Sequence, residues 1–278
     1  MPKEFLVPVP TASDEDAVID KALAFAGAHD ARLTLYVPAA IPTPMASPWG
    51  LAADTMIAEL YGTIEREAHA RADGLRQRLR DVDAAWDIRV GRARFSDPSL
   101  TFAQEARCAD LAIVGQPHGV DASNWHDYFS ATLFESGRPV LVLPRRGFEP
   151  KPIRRVLLGW KPTKECARAV HDALAQFAAT QADVMAVDVV VVDEGDNDPE
   201  RGADVAAHLA HRGLAVTKTA MPAAGKSVAT TLLLHAAATG ADLLVVGGYG
   251  HSRLREWVLG GATRDLLEQL ELPVLFSR

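Results

Sequence analysis

Cysteine is scarce in this chain, with two among 278 residues, Cys108 and Cys166. Neither has a partner at CxxC spacing, which excludes a disulfide framework and a cysteine-based zinc site. A basic excess is missing as well. The formal net charge of −7 argues against a general binder of nucleic-acid backbone. No apolar run approaches the roughly 20 residues that cross a bilayer, so no membrane segment is expected. The chain enters an apolar stretch, FLVPV at 5–9, without a charged leader region, and a cytoplasmic location is the expectation. No serine sits in a nucleophile elbow and no carboxylate pair shares a loop, so no catalytic set is assigned.

Hydrophobic residues, by contrast, make up 48% of the chain, enough for sizeable cores in a length that suits two domains. Buried-strand patterns fall at 5–9, 32–37, 88–95, 111–115 and 140–143. Between them lie helical patterns. Ser13 and Asp16 make a capping-box-like start to the first, which Gly27 suits as an end. A longer one carries Ile57, Leu60, Tyr61, Ile64, Ala68, Leu75 and Leu79. Residues 38–50 read as a proline-rich loop. The stretch RRGFEPKPIRR at 145–155 reads as an exposed linker, with a docking patch for an acidic partner as the lesser alternative. The pattern then restarts, with strands at 156–160, 184–192, 214–220, 243–246 and 274–276. ADLAIVG at 109–115 returns as ADLLVVG at 241–247, and PVLVL at 139–143 as PVLF at 273–276. The chain is an internal duplication. Strands alternating with helices predict an α/β fold of two tandem, doubly wound parallel-sheet domains.

The second copy ends in LLVVGGYGHSRLREWVLGGATRDLLEQLELPVLF. A strand delivers Gly247, Gly248 and Gly250. Nine residues after Gly250 come Gly260 and Gly261, and then a helix with Ala262, Leu266, Leu267 and Leu270 on one face. A strand feeding a glycine loop and a helix start suits a phosphate, because exposed N–H groups and the helix dipole both favour an anion. A Cβ would block the close approach. The competing GKS at 225–227 lacks the earlier glycine of a nucleotide loop, since Ala220 stands there, and reads as a helix cap.

These residues resemble the universal stress protein family in its tandem two-domain form. The resemblance rests on the two ADL-strand-G segments, GGYGHSRLREW, the GG-A-T-R turn, SGRPVLVLP at 136–144 and the two P-V-L ends. It implies the adenine nucleotide alpha hydrolase-like strand order 3-2-1-4-5, domains at 1–147 and 153–278, and closing strands that face each other as an intramolecular pseudo-dimer. A homodimer or an unidentified protein partner would extend that assembly. The implied role is stress response, with ATP or another adenine nucleotide in the C-terminal domain; AMP or no nucleotide are the alternatives. Gly247, Gly250 and Gly260 match the family's loop. Gly261 stands where a Ser or Thr hydroxyl belongs, with Thr263 as its replacement if the turn shifts. The Gly261 and Ala262 N–H groups would face phosphate. His251 and Arg253, after Gly250, read equally as phosphate contacts or as surface residues of a lid. Gly159 and Lys161 end the first strand of this half, where ATP-binding members place an Asp near the nucleoside. Val189 matches the backbone contact to adenine.

In the first half, Gly115-Gln116-Pro117-His118 breaks the loop and Pro10 replaces the acidic residue. Residues 115–136 there read as a degenerate loop, and this half is expected to be structural. A nucleotide-independent interaction module and a slow ATP hydrolase are the rival functions, the latter without a visible general base. His118, Trp125 and His126, and the acidic run 193–198, are read as exposed loop features rather than metal sites.

Overall fold

The structure, a computed structural model, describes residues 3–10, 15–41, 51–94, 97–177, 185–193, 200–248 and 261–278. Ten strands form one sheet in the order β3-β2-β1-β4-β5-β10-β9-β6-β7-β8. The first half supplies β1 (Lys3–Pro8), β2 (Ala31–Ile41), β3 (Trp86–Arg94), β4 (Leu111–Gly115) and β5 (Val140–Leu143). The second supplies β6 (Arg155–Gly159), β7 (Ala186–Asp193), β8 (Ala215–Pro222), β9 (Leu243–Gly247) and β10 (Val274–Ser277). Numbered within itself, each half runs 3-2-1-4-5. The halves meet in the one antiparallel pairing among the described residues, with Val274 opposite Val142 and Phe276 opposite Val140. This seam removes an edge from each half-sheet, where unpaired N–H and C=O groups would otherwise recruit another chain. Phe129 reaches across it to Phe276, edge to face at 5.1 Å between centroids.

The helices of the crossover connections pack against the sheet. The first half contributes α1 (Glu15–Ala28), α2 (Leu51–Arg78), α3 (Pro98–Ala106) and α4 (Ala122–Glu135). The second contributes α5 (Lys164–Phe177), α6 (Ala203–His211), α7 (Val228–Thr239) and α8 (Gly261–Gln269). Helices α1 and α5 meet across the seam, with Phe177 edge-on to Phe25 at 6.1 Å and His29 beside both rings.

The repeated ADL segment has a structural purpose. The Asp110 carboxylate accepts the Glu4 N–H at 2.9 Å. Its counterpart Asp242 accepts the Arg154 and Arg155 N–H groups at 3.0 and 2.8 Å, and pairs with Lys151 at 2.7 Å. Each aspartate thus pins the start of the first strand of its half. The GKS stretch is a cap, as its sequence indicates: the Ser227 hydroxyl accepts the Thr230 N–H at 3.2 Å. The 145–155 linker is mostly exposed, yet it is anchored. Ile153 is buried, Phe148 packs on the core, and Lys21 donates to the Pro144 and Arg145 carbonyls.

One sequence expectation is corrected. Most of residues 115–136 is not loop, since a short 3-10 turn at Gly119–Asp121 leads into α4. Trp125, Tyr128, Phe129, Thr132 and Leu133 recur at helical spacing and all face inward. Six residues separate Gly115 from α4, where thirteen separate Gly247 from α8.

Candidate nucleotide site

β6 and β9 are neighbours where the strand order reverses, and the crevice at their carboxyl ends is the usual ligand position in such sheets. Two glycines line its floor. An ideal Cβ on Gly159 would stand 2.9 Å from Leu232 and 3.1 Å from Val246. One on Gly247 would stand 2.6 Å from the Cys166 nitrogen and 2.8 Å from the Glu165 carbonyl carbon. The backbone of β9 therefore lies directly against the first turn of α5, where Thr163 Oγ1 accepts the Cys166 N–H at 3.3 Å. Glu165 is itself buried in that turn.

The other predicted residues fall around this floor. Lys161 is exposed just past β6. Val189 is fully buried in β7, and its neighbourhood is closed by Gly202, a left-handed residue (φ 82°) whose ideal Cβ would come within 3.3 Å of Trp160. Trp160 is thus a packing residue, half-buried against the start of α6. Gly261 and Ala262 are exposed at the start of α8, and a Cβ on Gly261 would meet nothing within 4 Å among the described residues. Thr263 is buried on the face it shares with Leu266 and Leu267, turned toward the core. Gly250, His251 and Gly260 lie outside the described residues. Among the described residues no group of three His, Cys, Asp or Glu side chains could hold a metal ion.

The corresponding crevice of the first half is filled. An ideal Cβ on Gly115 would be 2.8 Å from Val18 and 2.9 Å from the Trp125 indole, and Trp125 is 1% exposed. Tyr128, Phe102 and Tyr36 continue the aromatic packing, with ring centroids 5.4 and 5.9 Å apart. Burial raises both tyrosine hydroxyls well above their ordinary range. Arg71 donates to the Pro10 carbonyl and pairs with Glu15. His118 is exposed and Trp125 is core, so the two do not form a cluster.

Sequence reasoning missed Trp125 as the plug and Gln116 as a contact between the halves. The helical spacing of Trp125, Phe129 and Leu133 was the available signal for the first. The second depends on a partner about 150 residues away and had none.

Residues 152–278 match the Universal stress protein family. No curated protein matches the chain. A solved universal stress protein from Archaeoglobus fulgidus DSM 4304 superposes with a TM-score of 0.68 at 12% identity, covering 99% of this chain and 96% of that one. A functionally unknown protein from Pseudomonas aeruginosa PAO1 gives 0.56 at 15% identity, covering 99% and 92%. At these identities the likeness establishes the fold. No described helix is long and apolar enough to cross a membrane. Residues 152–278 form a domain of the universal stress protein family, and the chain as a whole has that family's fold in tandem form.

Proposed function

We propose that this chain is a regulatory stress-response protein that binds ATP or another adenine nucleotide once per chain, in the domain at 153–278. The domain at 1–147 serves as its structural partner. The observation that carries this reading is the contrast between two equivalent crevices. The C-terminal one is reached through Gly247 and Gly248 and has Gly261 and Ala262 exposed at α8; in the N-terminal one Gln116, Pro117 and His118 follow Gly115, and Trp125 is buried against that glycine.

In this reading Gly247, Gly250 and Gly260 let backbone approach the phosphates, and His251 stands beside them. The N–H groups of Gly261 and Ala262 supply donors at the positive end of α8. Lys161 adds charge from the β6 side, while Val189, fully buried within β7, packs beneath the site rather than meeting the base. The role is sensing by occupancy, with ATP hydrolysis slow at most. The test is chromatography of the small molecule that heat releases from freshly purified protein. An adenine nucleotide near one equivalent supports the reading.

Two residues favour a second reading, an interaction module that works without nucleotide. Lys161 stands at the family's acidic position, and Gly261 at its hydroxyl position. Absence of any released nucleotide, together with no ATP binding in solution, would select that alternative.

A further inference from the structure

Residues 249–260 connect two anchors, and both anchors are gripped by the other half of the chain. The first anchor is Gly248. Its N–H donates to the Ser277 carbonyl at 2.7 Å, and an ideal Cβ there would stand 2.8 Å from Leu133 of α4. Nothing larger than glycine fits between Leu133 and the β9 exit unless one of them moves. The second anchor is α8. Its last carbonyls have no donors within the helix, and Gln116 supplies them: Nε2 donates to Leu267 O at 3.1 Å and Glu268 O at 3.2 Å. The same amide is held from behind, since Oε1 accepts the Arg145 N–H at 3.0 Å. Gln116 is a buried side chain with both N–H donors used, so its geometry is fixed by three hydrogen bonds.

The arrangement follows the internal symmetry of the duplication. Gln116 and Gly248 each follow the glycine that ends the ADL strand. Leu133 and Leu267 each stand six residues before the proline of the P-V-L strand. Each half therefore places the residue after its strand-end glycine against the last helix of the other. In the first half, that residue is a long amide that caps the helix it meets.

We propose that the N-terminal half is a clamp that sets the ligand affinity of the C-terminal site, with Gln116 and Leu133 as its positioning residues. The inference rests on the nucleotide-site reading above. Helix α8 has nine residues and moves as a short rod of about 13 Å. Fixing its carboxyl end from Gln116 fixes the direction in which the Gly261 and Ala262 N–H groups point. A site built on backbone donors depends on that aim. It also gives a physical reason for a half that cannot hold nucleotide to persist beside one that can.

The experiment is calorimetric titration of ATP into the full-length chain as wild type, Gln116→Met and Gln116→Glu, with thermal melting of each alongside. Methionine keeps the length and loses the donors. Glutamate keeps the acceptor for Arg145 and turns a carboxylate on two carbonyl oxygens. The expected result is binding weakened about tenfold in Gln116→Met, the factor that accompanies a lost buried hydrogen-bonded contact, and weakened further in Gln116→Glu. Amide exchange should quicken in α8 and stay slow in β9. A purely structural glutamine would lower the melting temperature and leave the affinity of the folded protein unchanged; that outcome overturns the proposal, as does failure of both variants to fold. Wild type that takes up no ATP removes the nucleotide reading and this inference with it. Wild-type binding with unaltered variants removes this inference alone.

Discussion

Gly261→Ser restores the hydroxyl that the family pattern expects, and the structure says what it should gain. Gly261 is exposed, opens α8, and has no atom of the described residues within 4 Å of an ideal Cβ, so the serine displaces none of them. Its backbone conformation is one that any L-residue can adopt. A hydrogen bond from a hydroxyl to a charged phosphate is worth about 1.5–3 kcal/mol, and ordering the side chain costs about 0.5–1 kcal/mol. The net, roughly 1–2 kcal/mol, is an increase in ATP affinity of about five- to thirtyfold. Serine is also the better helix former by roughly half a kcal/mol, so the melting temperature should rise slightly or hold. Calorimetry with ATP reads the gain, and adenosine serves as control because the hydroxyl acts on phosphate. A variant that melts like wild type and binds ATP no more tightly would refute the placement of Gly261 beside the phosphates.

Three further predictions follow from the same geometry. Lys161→Asp should weaken ATP binding by about tenfold through lost charge attraction and flatten its salt dependence; stronger binding would mean that Lys161 merely fills the place of an acidic nucleoside contact. Asp242→Asn should cost about 1–3 kcal/mol of folding stability in denaturant titrations, since a side chain only 8% exposed loses its ion pair and charge-assisted bonds. Burial pushes the Asp242 carboxyl up, but Lys151 and the Arg155 and Arg154 N–H groups together hold it below its ordinary value of 3.8. That stabilisation is complete above 3.8 and is lost as pH falls through the folded-state value, so the acid slope should be shallower in the variant. At the α1–α5 junction, burial lowers the His29 pKa from its ordinary 6.5, with the nearby Lys3 charge adding to the effect and the Phe25 carbonyl and Asp30 opposing it. Below 6.5 the unfolded chain takes up a proton that the folded chain refuses. The melting temperature should therefore drop as pH falls from 7 toward 5, and a His29→Leu variant that drops as steeply would contradict this.

Much of the fold was legible because its signals are local. Continuous apolar runs marked the buried strands, and the repeated ADL and P-V-L segments exposed the duplication. The limits of single elements moved by a few residues: β2 runs on through Pro38 to Ile41. Helix α4 was hidden by expectation, because a stretch aligned with a glycine loop was read as a loop although its aromatics recur at helical spacing. The glycine spacing of the second half, Gly247, Gly250 and Gly260, was legible in the sequence, though two of the three lie outside the described residues. That Thr263 turns into the core, or that Gln116 crosses to Leu267, was not, because both depend on how elements distant in sequence pack. Lys161 and Gly261 were identified as departures, yet only the open space at Gly261 turns one of them into a reversible change.

The central claim is one nucleotide site per chain, in the second half. Calorimetric titration of ATP into the full-length protein measures it directly. The account predicts a stoichiometry of one, unchanged in Trp125→Phe and abolished in Gly250→Val, whose β-branched side chain would occupy the space of the anion. A stoichiometry of two, binding that survives Gly250→Val, or no binding at all would contradict it.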